Sequence, residues 1–242
     1  MRPPLATLLL VIGVVPMPVI AQTALRVQPL TVEVTSPSQA SSINLQNRGP
    51  RPMVLQVRVF DWSQVNGQDQ IAPTTEVVAS PPAMTIPPGQ SYTVRLARTA
   101  GAVNAGEKSY RLWVDELPPP ARPMPAGGGE VDVRLRYDLP AFFRAGDPQP
   151  ALNWRAYRTG GQLVVEASNS GAGHARIEGL RLDSAQGPIS FGRGLNGYVL
   201  PGATRRWVAP TGAPLPAANA NVTVVAGVGG REIRQATAIA SR

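Results

Sequence analysis

The chain has 242 residues, of which 43% are hydrophobic and 16% charged, so it can form a sizeable core, and wholesale disorder is excluded. It contains no Cys and one His, which excludes disulfide scaffolds, cysteine nucleophiles and His-rich metal sites. With 26 Pro, 24 Gly and a net charge of +8 from singly scattered basic residues, the chain favours short strands with solvated faces over helix bundles.

The first 21 residues have the layout of a secretory signal peptide. Arg2 lies near the start, an apolar stretch follows over 5–15, and small residues, Val19 and Ala21, end the segment. The apolar stretch is shorter than the ~20 residues that a bilayer-spanning helix needs. We therefore expect residues 1–21 to direct export to the periplasm; a retained N-terminal membrane anchor is the alternative.

Short segments in which apolar and polar residues alternate follow the signal segment. Alternation with period two is typical of half-buried strands, and turn residues such as Asn66-Gly67 lie between the segments. The alternating segments of the first half are 32–34, 43–46, 54–60, 92–96, 110–114 and 131–139. The last of them follows a Pro- and Gly-rich loop over 116–129 and has the cleanest alternation in the chain.

A polar segment over 144–150 predicts a linker, after which the strand pattern restarts. The two halves share a pair of motifs in the same order. Asn47-x-Gly49 is followed by a Pro-Pro-Gly turn ending at Gly89, and Asn169-x-Gly171 by a Pro-Gly turn ending at Gly202. We therefore predict an all-β protein of two immunoglobulin-like β-sandwich domains, over 22–146 and 147–242.

Motifs of known catalytic and nucleotide-binding sites are missing from the sequence. It has no Gly-x-Ser-x-Gly elbow, P-loop or dinucleotide-binding glycine motif, and His174 has no second His with which to share a metal. Aromatic residues make up 5%, too few for a nucleotide-stacking platform. We therefore predict no enzymatic activity, no cofactor, no bound metal, no small-molecule substrate and no nucleic-acid partner.

An ordered set of motifs resembles the PapD-like periplasmic pilus chaperones, in particular the archaic branch that serves spore-coat-U-type pili. In the first half the motifs are Ile43-x-Leu45-x-Asn47-x-Gly49, Val57-Arg58-Val59-Phe60-x-Trp62, Ile86-x-Pro88-Gly89, Val94-Arg95-Leu96-x-Arg98, Glu107-x-x-Tyr110-Arg111-Leu112 and Leu139-Pro140-x-Phe142. In the second half they are Asn169-x-Gly171-x-x-His174 and Gly197-Tyr198-Val199-Leu200-Pro201-Gly202. The resemblance implies two domains set at an angle. It also implies a function in fimbrium biogenesis, in which the chain binds pilin subunits and delivers them to an outer-membrane usher.

The resemblance also implies a donor strand. A pilin subunit lacks its last strand and so exposes an apolar groove and an unpaired edge, and the chaperone lends a strand to both. The donor strand falls at 130–142, and its apolar row is Val131, Val133, Leu135, Tyr137 and Leu139. The alternative is an ordinary interior strand whose apolar face packs against its own core.

Basic side chains of the family hold the subunit's C-terminal carboxylate in the cleft between the domains. The usual Arg and Lys are absent here, because Thr31 lies near the first position and Asp138 at the second. Arg111 is the first candidate for the carboxylate, since a planar guanidinium can hold a carboxylate by two parallel hydrogen bonds, and Arg136 is the second. For Arg111 the alternative is a strand-surface charge.

The family's interdomain ion-pair cluster is only partly present. Arg95 and Glu107 match two of its positions, whereas the acidic position of the second domain falls at Gly227. We therefore expect Arg95 and Glu107 to form a structural ion pair within the first domain.

Two other functions stay open at this point. A secreted adhesive or carbohydrate-binding module of the same architecture would show clusters of exposed aromatic residues, whereas the four Trp residues here are dispersed among strand patterns. An exported hydrolase would need a paired nucleophile and base, which the sequence lacks.

Overall fold

The structure is a computed structural model that describes residues 24–118, 134–213 and 215–241. Throughout those ranges the regular secondary structure is β-strand, which confirms the expected all-β class. In the same ranges, no helix has the length and apolar character needed to cross a membrane. The expected signal segment 1–21 lies outside the described residues.

Ten strands belong to the first half of the chain. They are β1 (Leu25–Gln28), β2 (Val32–Thr35), β3 (Ala40–Asn47), β4 (Met53–Val65), β5 (Gln68–Pro73), β6 (Val77–Ser80), β7 (Ala83–Ile86), β8 (Ser91–Arg98), β9 (Glu107–Glu116) and β10 (Arg136–Arg144). One sheet has the order β1-β3-β8-β6, and the other has the order β2-β10-β9-β4-β5, with β7 also pairing with β4.

The core of the first domain lies between these two sheets. In β9, Tyr110, Leu112 and Val114 are fully buried in this core, whereas Arg111 and Trp113 point to the opposite face of the six-stranded sheet. The side-chain period of two in a strand produces this division. It makes one face of the six-stranded sheet apolar and leaves polar and aromatic residues on its outer face.

The second half of the chain forms a second sandwich. Its strands are β11 (Leu152–Thr159), β12 (Gln162–Asn169), β13 (Ala175–Ser184), β14 (Gly187–Ser190), β15 (Leu195–Val199), β16 (Thr204–Val208), β17 (Asn221–Val228) and β18 (Arg231–Ser241). They pair in the order β14-β13-β17-β18-β11-β12-β16, with β15 also pairing with β13. In this order β18 pairs antiparallel with β17 and, from Ile239, parallel with β11. Between β10 and β11 the chain crosses from the first core to the second over residues 145–151.

The Asn-x-Gly motif that is repeated in the two halves contains a buried asparagine in each domain. Asn47, at the end of β3, is fully buried, and its amide nitrogen donates to the Ile86 carbonyl at 2.9 Å. Its side-chain oxygen accepts from the Gly49 N–H at 2.9 Å, while its backbone carbonyl accepts from the Gly89 N–H at 2.9 Å. The side chain therefore ties the end of β3 to the turn before β8.

Asn169, at the end of β12, repeats this arrangement in the second domain. Its amide nitrogen donates to the Val199 carbonyl at 3.0 Å, and its side-chain oxygen accepts from the Gly171 N–H at 2.9 Å. The Gly202 N–H donates to the Asn169 backbone carbonyl at 2.9 Å. The two motifs found in the sequence are thus the same hydrogen-bonded turn, used once in each sandwich.

Replacing Asn47 by Ala is expected to lower the free energy of unfolding of the first domain by about 2–4 kcal/mol. The truncation leaves the buried Ile86 carbonyl and the part-buried Gly49 N–H without these hydrogen-bond partners. Asn44→Ala, an exposed position on the same strand, is the matched control and should change stability by less than about 0.5 kcal/mol. Equal urea midpoints for the two variants would contradict a structural role for Asn47.

Candidate functional site

The edge of β10 is only half paired. Antiparallel pairing with β9 extends from Arg136 to Arg144, whereas β2 pairs in parallel with Ala141–Arg144 only. On the β2 side, residues 136–140 have no partner strand among the described residues. We call this stretch the free edge, and an unpaired edge of this kind can accept a strand from another chain.

The apolar row predicted for this strand divides into exposed and buried positions. Leu135, just before β10, is 37% exposed, and its carbonyl accepts from the Glu116 N–H at 3.1 Å. Tyr137 is half-buried against the core, and its hydroxyl donates to the Leu25 carbonyl at 2.6 Å. Val131 and Val133 lie outside the described residues.

The position of Leu139 in the structure differs from the prediction that it belongs to the apolar row offered to a guest. Its side chain is buried in the core of the first domain, so it is not available to a guest as the prediction required. The reason is that the Leu139 side chain faces the core between the two sheets, although its backbone belongs to the free edge. The alternative, an apolar side chain packed against the chain's own core, therefore holds for Leu139.

Arg111 lies on the outer face of the six-stranded sheet, where the two domains meet. Its side chain is 13% exposed, and its guanidinium carbon is 3.6 Å from the centroid of the Trp62 ring. The nearest carboxylate oxygens belong to Asp138 at 3.6 Å and Asp69 at 3.8 Å, both too far for a hydrogen bond. Burial lowers the pKa of Arg111, an effect that the two carboxylates oppose.

The guanidinium of Arg111 makes no hydrogen bond to any described residue, and its Nε is buried without a partner. A guanidinium has five N–H donors in a fixed fork, so an unpaired one is suited to receive an anion. Arg58 and Arg136 on the same face each donate a hydrogen bond to Asp115, and this distinguishes them from Arg111.

Arg136, the second candidate for the carboxylate, is already paired. Its Nε donates to Asp115 at 2.5 Å, and its guanidinium carbon is 4.0 Å from the centroid of the Trp113 ring. Arg58 donates to the same carboxylate at 2.7 Å. Burial opposes the charge of Asp115, but these two hydrogen bonds lower its pKa. The geometry therefore favours Arg111, whose guanidinium makes no hydrogen bond to described residues, over Arg136 as the cation that could receive a carboxylate.

Asp69 fixes the β4–β5 hairpin against the second domain. Its carboxylate accepts from Trp62 Nε1 at 3.0 Å, from Gln64 Nε2 at 2.8 Å and from a nitrogen of Arg205 at 2.9 and 3.0 Å. Burial opposes the charge, but the hydrogen bonds from Gln64 and Arg205 outweigh it and lower the pKa of Asp69. The carboxylate is therefore held in place on several sides.

The hairpin also contacts the second domain through its backbone and its aromatic residues. Gln64 donates to the Tyr198 carbonyl at 2.9 Å and accepts from the Leu200 N–H at 3.0 Å. Trp62 and Phe142 of the first domain pack with Tyr198 and Leu200 of the second in one buried cluster. At the hairpin tip, Asn66, at φ 54°, and the glycine after it, at φ 83°, form the tight turn that joins β4 to β5.

The predicted ion pair between Arg95 and Glu107 is wrong. Arg95 is exposed in β8, which belongs to the four-stranded sheet, whereas Glu107 begins β9 in the other sheet. Glu107, with 1% of its side chain exposed, instead contacts Nδ1 of His174 in the second domain at 2.8 Å. His174 in turn stacks on Phe142 with ring centroids 3.6 Å apart. No local pattern could have indicated this pair, because its members are 67 residues apart.

Metal-binding groups are not a feature of this site. Within the ranges that the structure describes, no three residues among His, Cys, Asp and Glu come together in a way that could hold a metal ion. The outer face of the six-stranded sheet instead carries a cation, Arg111, near the free edge.

Comparisons with known proteins agree with this architecture. Residues 24–147 match the family described as pili and flagellar-assembly chaperones, PapD N-terminal domain. A comparison with curated protein sequences gave no match.

Solved structures with similar folds include several chaperones. One is a chain of the CsuC–CsuE chaperone–tip adhesion subunit pre-assembly complex from the archaic chaperone-usher Csu pili of Acinetobacter baumannii. It is 24% identical with a TM-score of 0.68, and the match covers 91% of this chain and 100% of that chain. The YadV chaperone is 16% identical with a TM-score of 0.63, covering 89% of this chain and 100% of that chain.

A chain of the Salmonella enterica SafA pilin–SafB chaperone complex is 14% identical with a TM-score of 0.60, covering 91% of this chain and 98% of that chain. The three matches extend over both halves of the described chain and establish a shared two-domain all-β fold.

Proposed function

The chain belongs to the family of pili and flagellar-assembly chaperones, and we propose that it is a periplasmic chaperone that stabilises pilin subunits by donor-strand complementation. In this proposal the chain lends the free edge of β10 to a subunit and delivers the subunit to an outer-membrane usher. The half-paired edge of β10 is the observation that carries the proposal.

The free edge offers a subunit two kinds of interaction. Its backbone N–H and C=O groups can extend the hydrogen-bonded ladder of an incomplete sheet, and Pro140 marks the end where one donor is missing. Leu135 can enter an apolar groove of the subunit, and its burial would contribute about 1.5–3 kcal/mol. The sequence continues the alternation towards Val131 and Val133, which we include in the donor surface.

Arg111 completes the site as the group that receives the C-terminal carboxylate of the subunit. It lies on β9, the strand next to the free edge, and its guanidinium makes no hydrogen bond to described residues. A bidentate pair with a carboxylate would satisfy two of its donors at once. The carboxylate would then set the register in which the subunit strand lies along β10.

The proposal includes neither a catalytic residue nor a cofactor. The driving force for assembly is the more complete folding of a subunit when the strand of a neighbouring subunit replaces β10. The rival of a carbohydrate-binding module is disfavoured because Trp62, Trp154 and Trp207 are buried and cannot form an exposed aromatic platform.

The direct test is co-expression of the tagged chain with a spore-coat-U-type pilin subunit in a bacterial periplasm. We expect a one-to-one complex on size-exclusion chromatography, and we expect the subunit to aggregate or be degraded when the chain is absent. A subunit that is equally soluble without the chain, together with the absence of a complex, would contradict the proposal.

A further inference from the structure

Two carboxylates flank Arg111, and they differ in how firmly they are held. Asp69 accepts hydrogen bonds from Trp62, Gln64 and Arg205, and its side chain is 27% exposed. The Asp138 side chain is 43% exposed. Among the described residues it forms one ion pair, with Arg111 at 3.6 Å. Of the two, only Asp138 can move away from Arg111 without breaking hydrogen bonds.

Asp138 also lies next to Arg111 on the strand that carries the free edge. It lies on β10 opposite Trp113 of β9, and its side chain is on the same outer face of the sheet as that of Arg111. A strand that pairs with the free edge approaches from the far side of β10. Pro140 of β10 lies directly opposite Arg111, so a terminal carboxylate that crosses this proline to reach the guanidinium arrives beside Asp138.

The charges near Arg111 are balanced in the free chain. Arg111 and Arg205 carry two positive charges, and Asp69 and Asp138 carry two negative charges. A further carboxylate makes the group net negative, and like charges at close range repel each other. This repulsion weakens the binding of the arriving carboxylate to Arg111, or it weakens the contact of the resident carboxylate that the arriving one displaces.

From this arrangement we infer that Asp138 competes with the carboxylate of the guest for Arg111, and so lowers the affinity with which the chain holds a guest's C-terminus. The inference rests on the function proposed above for Arg111. A chaperone must release its subunit, and a resident carboxylate that can return to Arg111 helps to expel the bound one. Asp138 thus acts on the guest through Arg111.

Acetate is the smallest probe of this competition, and acetamide is its neutral counterpart. We would titrate each into the exported full chain and follow the Arg111 Nε–H signal by NMR, assigned from the signal lost in Arg111→Lys. We expect Asp138→Asn to lower the dissociation constant for acetate about fivefold and to leave the response to acetamide unchanged. A merely structural effect would alter the response to both probes alike.

Two variants serve as controls. Asp138→Glu keeps the charge and should bind acetate like the natural chain. Asp61→Asn removes an exposed carboxylate of β4 that forms no ion pair among the described residues, so it should have no effect. Equal acetate affinities for Asp138→Asn and the natural chain would overturn the competition but leave Arg111 as the anion site. If acetate left the Arg111 signal unchanged in every variant, both the competition and the carboxylate role of Arg111 would be wrong.

Discussion

Leu135→Glu is expected to reduce capture of a pilin subunit about 100-fold, with the thermal melt of the chain unchanged. The side chain is 37% exposed in the free chain, so the substitution costs little there. In the complex the same position would enter an apolar groove, where a carboxylate loses its hydration without gaining a partner. The measurement is the fraction of co-expressed subunit that purifies with the tagged chain, followed by the dissociation rate of the complex.

Leu195→Glu is the matched control for this variant. Leu195 is 50% exposed at the start of β15 in the second domain and is not part of the free edge, so its change to Glu should leave capture intact. Undiminished capture by Leu135→Glu would exclude Leu135 from the donor surface. A Tyr137 variant would be less informative, since Tyr137 packs against the core and would report stability as well as binding.

Arg111→Ala is expected to weaken subunit capture by about 30- to 100-fold, the effect of losing a charge-assisted bidentate pair. The chain itself should melt within about 4 °C of the natural protein, because Arg111 makes no hydrogen bond among the described residues. Asp69 keeps its hydrogen bonds to Trp62, Gln64 and Arg205 in this variant. The paired measurements are capture of the co-expressed subunit and the melting temperature of the free chain.

Arg136→Ala separates the two candidate cations. Arg136 already donates to Asp115, so its loss should affect capture less than the loss of Arg111. A collapsed melt for Arg111→Ala would favour a structural role, in which its stacking on Trp62 stabilises the contact between the domains. An equal loss of capture in both variants would show that the outer face acts through its overall charge.

Several features of the site follow from local sequence alone. The period of two in β9 places Arg111 and Trp113 on one face and Leu112 on the other, whatever the partners of the strand are. In the same way, the Asn-x-Gly motifs at Asn47 and Asn169 mark a turn in each half, because a side-chain amide can bond to the backbone two residues away. Such features need no knowledge of which strands become neighbours.

Other features depend on contacts between distant segments. Leu135 and Leu139 have the same parity in one alternating segment, yet the first is exposed and the second is buried. The difference arises because β2 pairs with β10 only from Ala141 onward, and the residues near this pairing are enclosed by the core. Strand parity predicts which face a residue occupies, but it cannot predict where along the strand that face becomes covered.

The sequence by itself determined the all-β class, the two similar halves and the side of each strand that faces a core, because strand alternation and turn chemistry act over a few residues. Only the tertiary structure decided which half of β10 is unpaired, that Glu107 contacts His174 rather than Arg95, and that Arg111 lies between Asp69 and Asp138. These outcomes join segments far apart in the chain. They are set by packing and charge balance over the whole fold, which no local pattern encodes.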